Sequence, residues 1–560
     1  MPVSEICRVF GGLSAMETLS TLTKIAGDLA NAPDGVLGAE SKAWTNELLT
    51  TRRDSLDPLE RAVSRAVARL PSDKAIAHAQ AVFTLQVLAL AAGTTEGRRP
   101  SDGQLAFWML AINDHIPEWM DEQPGALSQT EDVLASLMST SVFNQSDDPI
   151  RLLVRNVEIM GGTPACGPIN SADWGRVQAR AFGCAFDEYA EIFLVPMYLL
   201  ARQWSVKNPP VVFREPWIRG EPRTADLYRR WFSEAALPVE RAAAVFAADR
   251  LPCGLFGLPA AFFRTPFIDT GDKLLGLSPW HVRDHAVLGT WAKLNAACKD
   301  VLQTTSIQQF SSTFGYLFEL WCARLAREAR DEGEMPDRLL VPEHPGADDE
   351  IEDVVFLDGD RVALLSAKAS LIPEANLKTA RSPGDVIKWL RRFFFEDVKS
   401  AKDKGHRGGA VLLLNRKIDE IRAGKYEARG ISRDAIVLPG IVCFDHISDC
   451  GGILYKWLGQ ECARLGVLSG RAGVRPLTIV HADEYEALLS LGGSGLGVCN
   501  LLAEKSSDTR SWGPLDQFLY DKAADKPELR RSSTVARCDN MVSRCLERLR
   551  KAGVTRSDGV

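Results

Sequence analysis

The stretch EDVVFLDGDRVALLSAKAS, residues 352–370, constrains the fold of this chain more than any other. Two apolar runs flank Asp358-Gly359, a pair suited to a tight turn that needs positive φ, so the pattern predicts a β-hairpin. Asp353 opens the first strand and Lys368 closes the second. Ser366 and Lys368 are two apart and therefore share a face of their strand. The hairpin thus gathers Asp353, Ser366 and Lys368 at one edge. An acid at a strand start and a lysine at a strand end are usually solvated ends, so their meaning depends on what surrounds them.

What surrounds them is a change of texture. Residues before about 300 carry apolar positions at helical spacing, as in DPLERAVSRAVARL (57–70), DKAIAHAQAVFTLQVLALAAG (73–93) and the long run 173–204, with few alternating strand patterns. Breaks with Pro and Gly at 161–168 and 208–224 allow two helical subdomains. The polar stretch TTSIQQFSST (304–313) then caps a strongly amphipathic helix, 314–333. After it the periodicity predicts a strand at RLLVPEH, the hairpin, a basic helix from PGDVIKWLRRFFF, strands at GGAVLLLN and AIVLPGIVCFDH with a helix around 417–428 between them, a helix at 452–465, the strand LTIVHA and the helix DEYEALLSL. The last stretch, about 510–555, reads as two more helices. The expected architecture is a helical region over 1–303, a mixed-sheet α/β domain over 304–500 with helices on its faces, and a helical extension over 501–560.

Length and charge bound the function. A chain of 560 residues is too long for one core. A net charge of -7 gives no global basic field, so nucleic acid would have to meet a local patch. The 12 cysteines include no C-x-x-C pair and read as reduced, mostly buried thiols of a cytoplasmic protein. The N-terminus lacks the basic and apolar segments of a signal peptide, and the most apolar stretch, 81–93, is too short to span a bilayer. The expectation is a soluble protein with no membrane partner.

The order of elements and the residues IEDVVFLDGDRVALLSAK resemble the core of the PD-(D/E)XK, or restriction-endonuclease-like, nuclease superfamily. The resemblance covers roughly 310–495. It implies that Asp353 stands on the motif aspartate and Lys368 on the motif lysine, and that Glu319 in GYLFELW matches the glutamate often carried by the family's first helix. Ser366 departs from the pattern, since a second carboxylate usually stands there. Some enzymes of this fold take that acid from the following helix. Asp385 in RSPGD is then a candidate, as are Glu374 and Glu319. The resemblance implies Mg²⁺ or Mn²⁺ held by Asp353 with Glu319 or Asp385, and cleavage of DNA before RNA, in a setting such as defence against phage or foreign DNA. Phosphodiester hydrolysis needs an acid for the metal and a cation for the developing phosphorane, which suits these residue types.

The basic helix adds Lys388, Arg391, Arg392 and Lys399 beside Trp389, a face that could hold a phosphate backbone or simply be solvated. Two alternatives stand beside the nuclease: a non-catalytic nucleic-acid-binding or scaffold protein on the same fold, supported by Ser366, and a sensor whose helical region binds a partner or a second copy. Other motifs point less far. His281 and His285 in HVRDH lie one helical turn apart without an evident third metal ligand. GGSGLG (492–497) follows a helix and lacks a P-loop lysine. REPWIRGEPRTADLYRRWF (214–232) interleaves Arg with aromatics and reads best as a structured surface segment.

Overall fold

In a computed structural model, the described residues are 12–30, 149–162, 168–201, 211–218, 222–248, 264–303, 308–342, 351–369, 383–396, 409–444, 451–468, 470–507, 515–523 and 533–551, with isolated positions between 82 and 135. The predicted helix 57–70 and the acid Glu374 lie outside them, as does Lys399.

Two sheets organise the chain. The smaller one contains β1 (Val211–Phe213), β2 (Ala236–Pro238), β3 (Phe267–Asp269) and β4 (Lys273–Gly276), in the order β1-β4-β3-β2. The expectation of few strands before residue 300 missed this sheet. Its strands are three or four residues long, too short for alternation to be visible. The larger sheet contains β5 (Arg338–Leu340), β6 (Val354–Asp358), β7 (Arg361–Lys368), β8 (Ile436–Cys443) and β9 (Thr478–His481), in that order. β5, β6 and β7 pair antiparallel, whereas β7, β8 and β9 run parallel. The hairpin forms as its residues predict. Asp358 pairs with Arg361, and Gly359 in the turn has φ 58°.

Helices cover both faces of this sheet. The helices used below are α1 (Pro149–Met160), α2 (Gln308–Glu332), α3 (Pro383–Phe394), α4 (Ala410–Arg422), α5 (Gly451–Leu465), α6 (Ala482–Leu491), α7 (Val498–Ser507) and α8 (Ser533–Lys551). Alternation along the strands divides two cores. Val354, Phe356, Ala363 and Leu365 pack with Phe314, Phe318 and Trp321 of α2 and Tyr485 of α6. Val355, Leu357, Val362 and Leu364 pack with Val386 and Leu390 of α3, Leu414 and Ile418 of α4, and Leu454 and Leu458 of α5. Strands apolar on both sides are what such two-face burial requires.

Two elements differ from expectation. GGAVLLLN, predicted as a strand, is the start of α4. Its buried positions Ala410, Val411, Leu414, Ile418 and Ile421 follow helical spacing once the window is extended past the apolar run. A short apolar run does not by itself separate a buried strand from a helix. The predicted helix 417–428 is accordingly the end of α4 and the turn after it. The long helix predicted over 173–204 is broken at Gly183, whose φ of 80° caps Ser171–Phe182 in the left-handed conformation.

The boundary drawn near residue 303 is not a break in the core. The core around α2 also holds Leu153 and Val154 of α1, Trp231, and Met541 and Cys545 of α8. Glu158 of α1 accepts from Trp321 Nε1 at 2.9 Å and from Arg324 of α2 at 2.8 Å, and pairs with Arg537 of α8 at 2.5 Å. Glu191 pairs with Arg544 and Arg548 of α8 at 2.6 and 2.8 Å. The C-terminal helix therefore ties the early helices to the sheet domain.

Gly440, in the middle of β8, is demanded by close approach. A Cβ there would stand 2.5 Å from Leu365 Cδ2 in the neighbouring strand. Leu365 is fully buried and cannot retreat without shifting its core. Gly440→Val is expected to destabilise by about 1–3 kcal/mol, read as a lowered thermal midpoint. An unchanged midpoint would mean that the strands separate easily.

Candidate functional site

The site is built by the ends of three parallel strands and the bend that leads into β6. The Phe444 N–H just past β8 donates to the carbonyl of Lys368 at 3.2 Å, and His481 Nε2 at the end of β9 lies 3.0 Å from the carbonyl of Phe444. His481 also caps α6, with Nδ1 accepting from the Asp483 N–H at 3.3 Å, so Nε2 carries the proton and donates to Phe444. These bonds hold the strand ends in a row. Phe314 and Phe318 of α2 close on Phe444 with ring centroids 5.2 and 5.7 Å apart.

Asp353 stands just before the first paired residue of β6. It is 7% exposed, and its Oδ2 accepts from the Ala367 N–H at 2.6 Å. The carboxylate thus does the work of a strand carbonyl where the backbone has already turned away. The consequence is a reversal of faces. Continued alternation would place Asp353 beside Ser366 and leave Glu352 on the α2 side. Instead, Asp353 acts electrostatically on Cys322 of α2 and Tyr485 of α6. Glu352 faces Ser366, Lys368 and Lys417 of α4.

Glu352 was not singled out from the sequence. Burial and then the charge of Asp353 push its carboxyl up to about 7, against the opposing pull of Lys368, Ser366 and Lys417. Ser366 is fully buried, and its hydroxyl acts on the Glu352 carboxyl without meeting it at hydrogen-bond geometry. Lys368 is half-buried at the strand end. Hairpin parity alone pairs Ser366 with Asp353. The signal available in the sequence was the second acid of the Ile351-Glu352-Asp353 run.

The other predicted site residues are dispersed. Glu319 is half-buried on α2, which packs on the hairpin as expected. Its charge, with that of Asp353, adds to the burial that raises the Cys322 thiol. Asp385 is exposed in the first turn of α3, where a carboxylate faces the positive end of the helix dipole. Lys388 and Arg392 are exposed on α3. Arg391 lies between Glu131 at 2.6 Å and Glu461 at 3.2 Å, so its guanidinium is engaged by two carboxylates. Trp389 stacks on Phe393 at 5.3 Å. His281 and His285 are buried, and the former stands near the capped start of its helix, where its N–H donates to Ser278 Oγ. The cysteines among the described residues are buried and stand outside any disulfide.

A divalent ion of the Mg²⁺ or Mn²⁺ type needs several oxygen donors converging at about 2.0–2.2 Å. Among the described residues no group of three His, Cys, Asp or Glu side chains is placed to hold a metal. One oxygen of Asp353 is committed to the Ala367 N–H, and Ser366 supplies a neutral hydroxyl where a carboxylate would complete the set. The acids among the described residues do not close a metal site.

The chain matches no family model, no curated protein and no solved structure. Among the described residues no single helix is long and apolar enough to cross a membrane; α6 with its following turn, and α7, pass that test together only as a pair bent by 109°.

Proposed function

We propose that the pocket at the end of the hairpin is a phosphodiester-hydrolysing centre acting on nucleic acid, DNA in the first place. The observation that carries this reading is the buried Glu352 carboxyl at the strand ends, on which Lys368, Ser366 and Lys417 of α4 act, with Asp353 fixed beside it by the Ala367 N–H. A carboxyl that titrates near 7 is suited to take a proton from an attacking water at neutral pH. Lys368, which acts on the Glu352 carboxyl as Lys417 does, would balance the charge that develops on the phosphorane. The exposed cations Lys388 and Arg392 of α3 offer a place for the phosphate backbone. The resemblance calls for Mg²⁺ or Mn²⁺, and Asp353 and Glu352 are the acids from which such a site would have to be completed.

A second reading is a non-catalytic nucleic-acid-binding or scaffold protein on the same fold. It is favoured by the open metal set and by Ser366. A role for the early helices in contacting a partner protein or a second copy fits either reading, as does a place in defence against foreign DNA.

The test is cleavage of supercoiled and linear DNA, and of RNA, by the purified full chain with Mg²⁺, with Mn²⁺ and with chelator. Cation-dependent cleavage that falls at least a hundredfold in Lys368→Met supports the nuclease. Equal rates for the wild type and Lys368→Met rule it out. Binding without cleavage, together with activity gained in Ser366→Glu, establishes the second reading.

A further inference from the structure

A cavity of about 240 Å³ lies beneath the N-terminal ends of the parallel strands, the opposite end of the sheet from Lys368. It opens between α5, the segment leading into β9, and the last turn of α7. Its walls are mainly apolar, from Tyr455, Leu458, Cys462, Leu468 and Leu477, and Lys505 and Arg475 also line it. The Tyr455 hydroxyl is occupied by the backbone of Ile479, donating to its carbonyl at 3.1 Å and accepting from its N–H at 3.2 Å. That wall therefore offers a ring face, with its polar end engaged elsewhere.

The two cations are placed differently. Lys505 is 3% exposed and contributes to the cavity wall. Arg475 is exposed at the rim, and among the described residues no carboxylate pairs with it. The rim is also built under constraint. Leu468 holds φ 55°, a left-handed conformation that costs a branched residue about 1 kcal/mol or more. It is kept there by its N–H donating to Asn415 Oδ1 at 3.1 Å, an atom that also accepts from Arg471 at 2.9 Å. Gly466, Gly470 and Gly473 around it share the left-handed region. This strained turn presents the Leu468 side chain to the cavity.

We infer that this cavity is a binding site for a small apolar monoanion, a carboxylate or phosphate on a short alkyl or aryl body. Apolar walls take the body, and the Arg475 guanidinium at the rim, with Lys505 on the wall below it, takes the charge. The volume is below the roughly 300–1,000 Å³ of sites for drug-sized ligands, which limits the body to a short one. The site is separate from the strand ends that carry Glu352 and Lys368, and it does not depend on the hydrolytic reading.

The probe is octanoate, titrated calorimetrically into the full chain, with 1-octanol as its uncharged counterpart. Saturable one-to-one binding of octanoate is expected, at least tenfold tighter than octanol. Cys462→Phe fills the wall and should abolish it. Arg475→Glu, at an exposed position that cannot unsettle the core, should weaken octanoate at least tenfold and leave octanol unchanged. Absence of octanoate binding, equal affinity for octanol, or octanoate affinity unaltered by Arg475→Glu would each overturn the assignment.

Discussion

Glu352→Gln is expected to abolish hydrolysis and at the same time to stabilise the protein above neutral pH. The carboxyl is buried, and its folded pKa of about 7 stands above the ordinary 4.5. Between those two values the folded state holds more protons than the unfolded one. Stability therefore falls as pH rises from about 4.5 to about 7, and then stays level. The amide keeps the size and removes the ionisation. At pH 4 variant and wild type should be equally stable, and at pH 8 the variant should be the more stable by up to about 3 kcal/mol. Under the proposed reading the same change removes the proton acceptor and lowers cleavage at least a hundredfold. Denaturant titrations at the two pH values, with the cleavage assay beside them, separate the outcomes. A variant that is less stable at pH 8 would show that the environment of Glu352 has been misread. One that is stabilised yet still cleaves would leave the electrostatics intact and remove Glu352 from the chemistry.

The second large effect concerns Arg155. This side chain of α1 is fully buried and pairs with Asp483 and, at 3.4 Å, with Glu486. Its guanidinium lies 5.8 Å from the ring centre of Trp321 on α2. Both acids belong to α6, the helix capped by His481 at the end of β9. Arg155→Ala leaves the Glu486 carboxylate without its buried partner, and the expected loss is about 3–5 kcal/mol. The same residue connects the region before 304 to the sheet domain, so its loss should lower the whole unfolding transition. If the helical region over 1–303 were a separate unit, proteolysis near 304–313 would release two folded pieces. With Leu153, Trp321, Tyr485 and Met541 in one core, a cut there should leave the pieces associated or unfold both. A denaturant midpoint unmoved by Arg155→Ala would show that the two regions are energetically independent.

Much of the sheet domain was legible in the residues. Asp358-Gly359 between two apolar runs set the turn, the register and hence the pairing of β6 with β7. The amphipathic run from Phe314 and the run DEYEALLSL gave their helices, because periodicity is a local property, although the first helix starts earlier, at Gln308, inside the stretch expected to cap it. Gly183 shows the limit of that reading. Its neighbours keep helical spacing on both sides, and only its left-handed φ reveals the break. The strand predicted at GGAVLLLN failed for a related reason. Val411 to Leu414 are apolar in either conformation, and packing of Leu414 and Ile418 against the sheet made the segment a helix.

Sequence by itself therefore determined the hairpin, the helix before it, and the presence of an acid and a lysine at neighbouring strand ends. It could not determine which acid faces the lysine. Period-two alternation assigned Asp353 to Ser366, and the parity holds as far as Val354. One residue earlier the backbone leaves the sheet, the Asp353 carboxylate takes the Ala367 N–H, and Glu352 swings to the face of Ser366 and Lys368. That exchange depends on a hydrogen bond between residues fourteen apart in the chain and on helices packed on both faces of the sheet. Alternation describes a strand while it remains a strand, and the chemistry of this site begins where the strand ends.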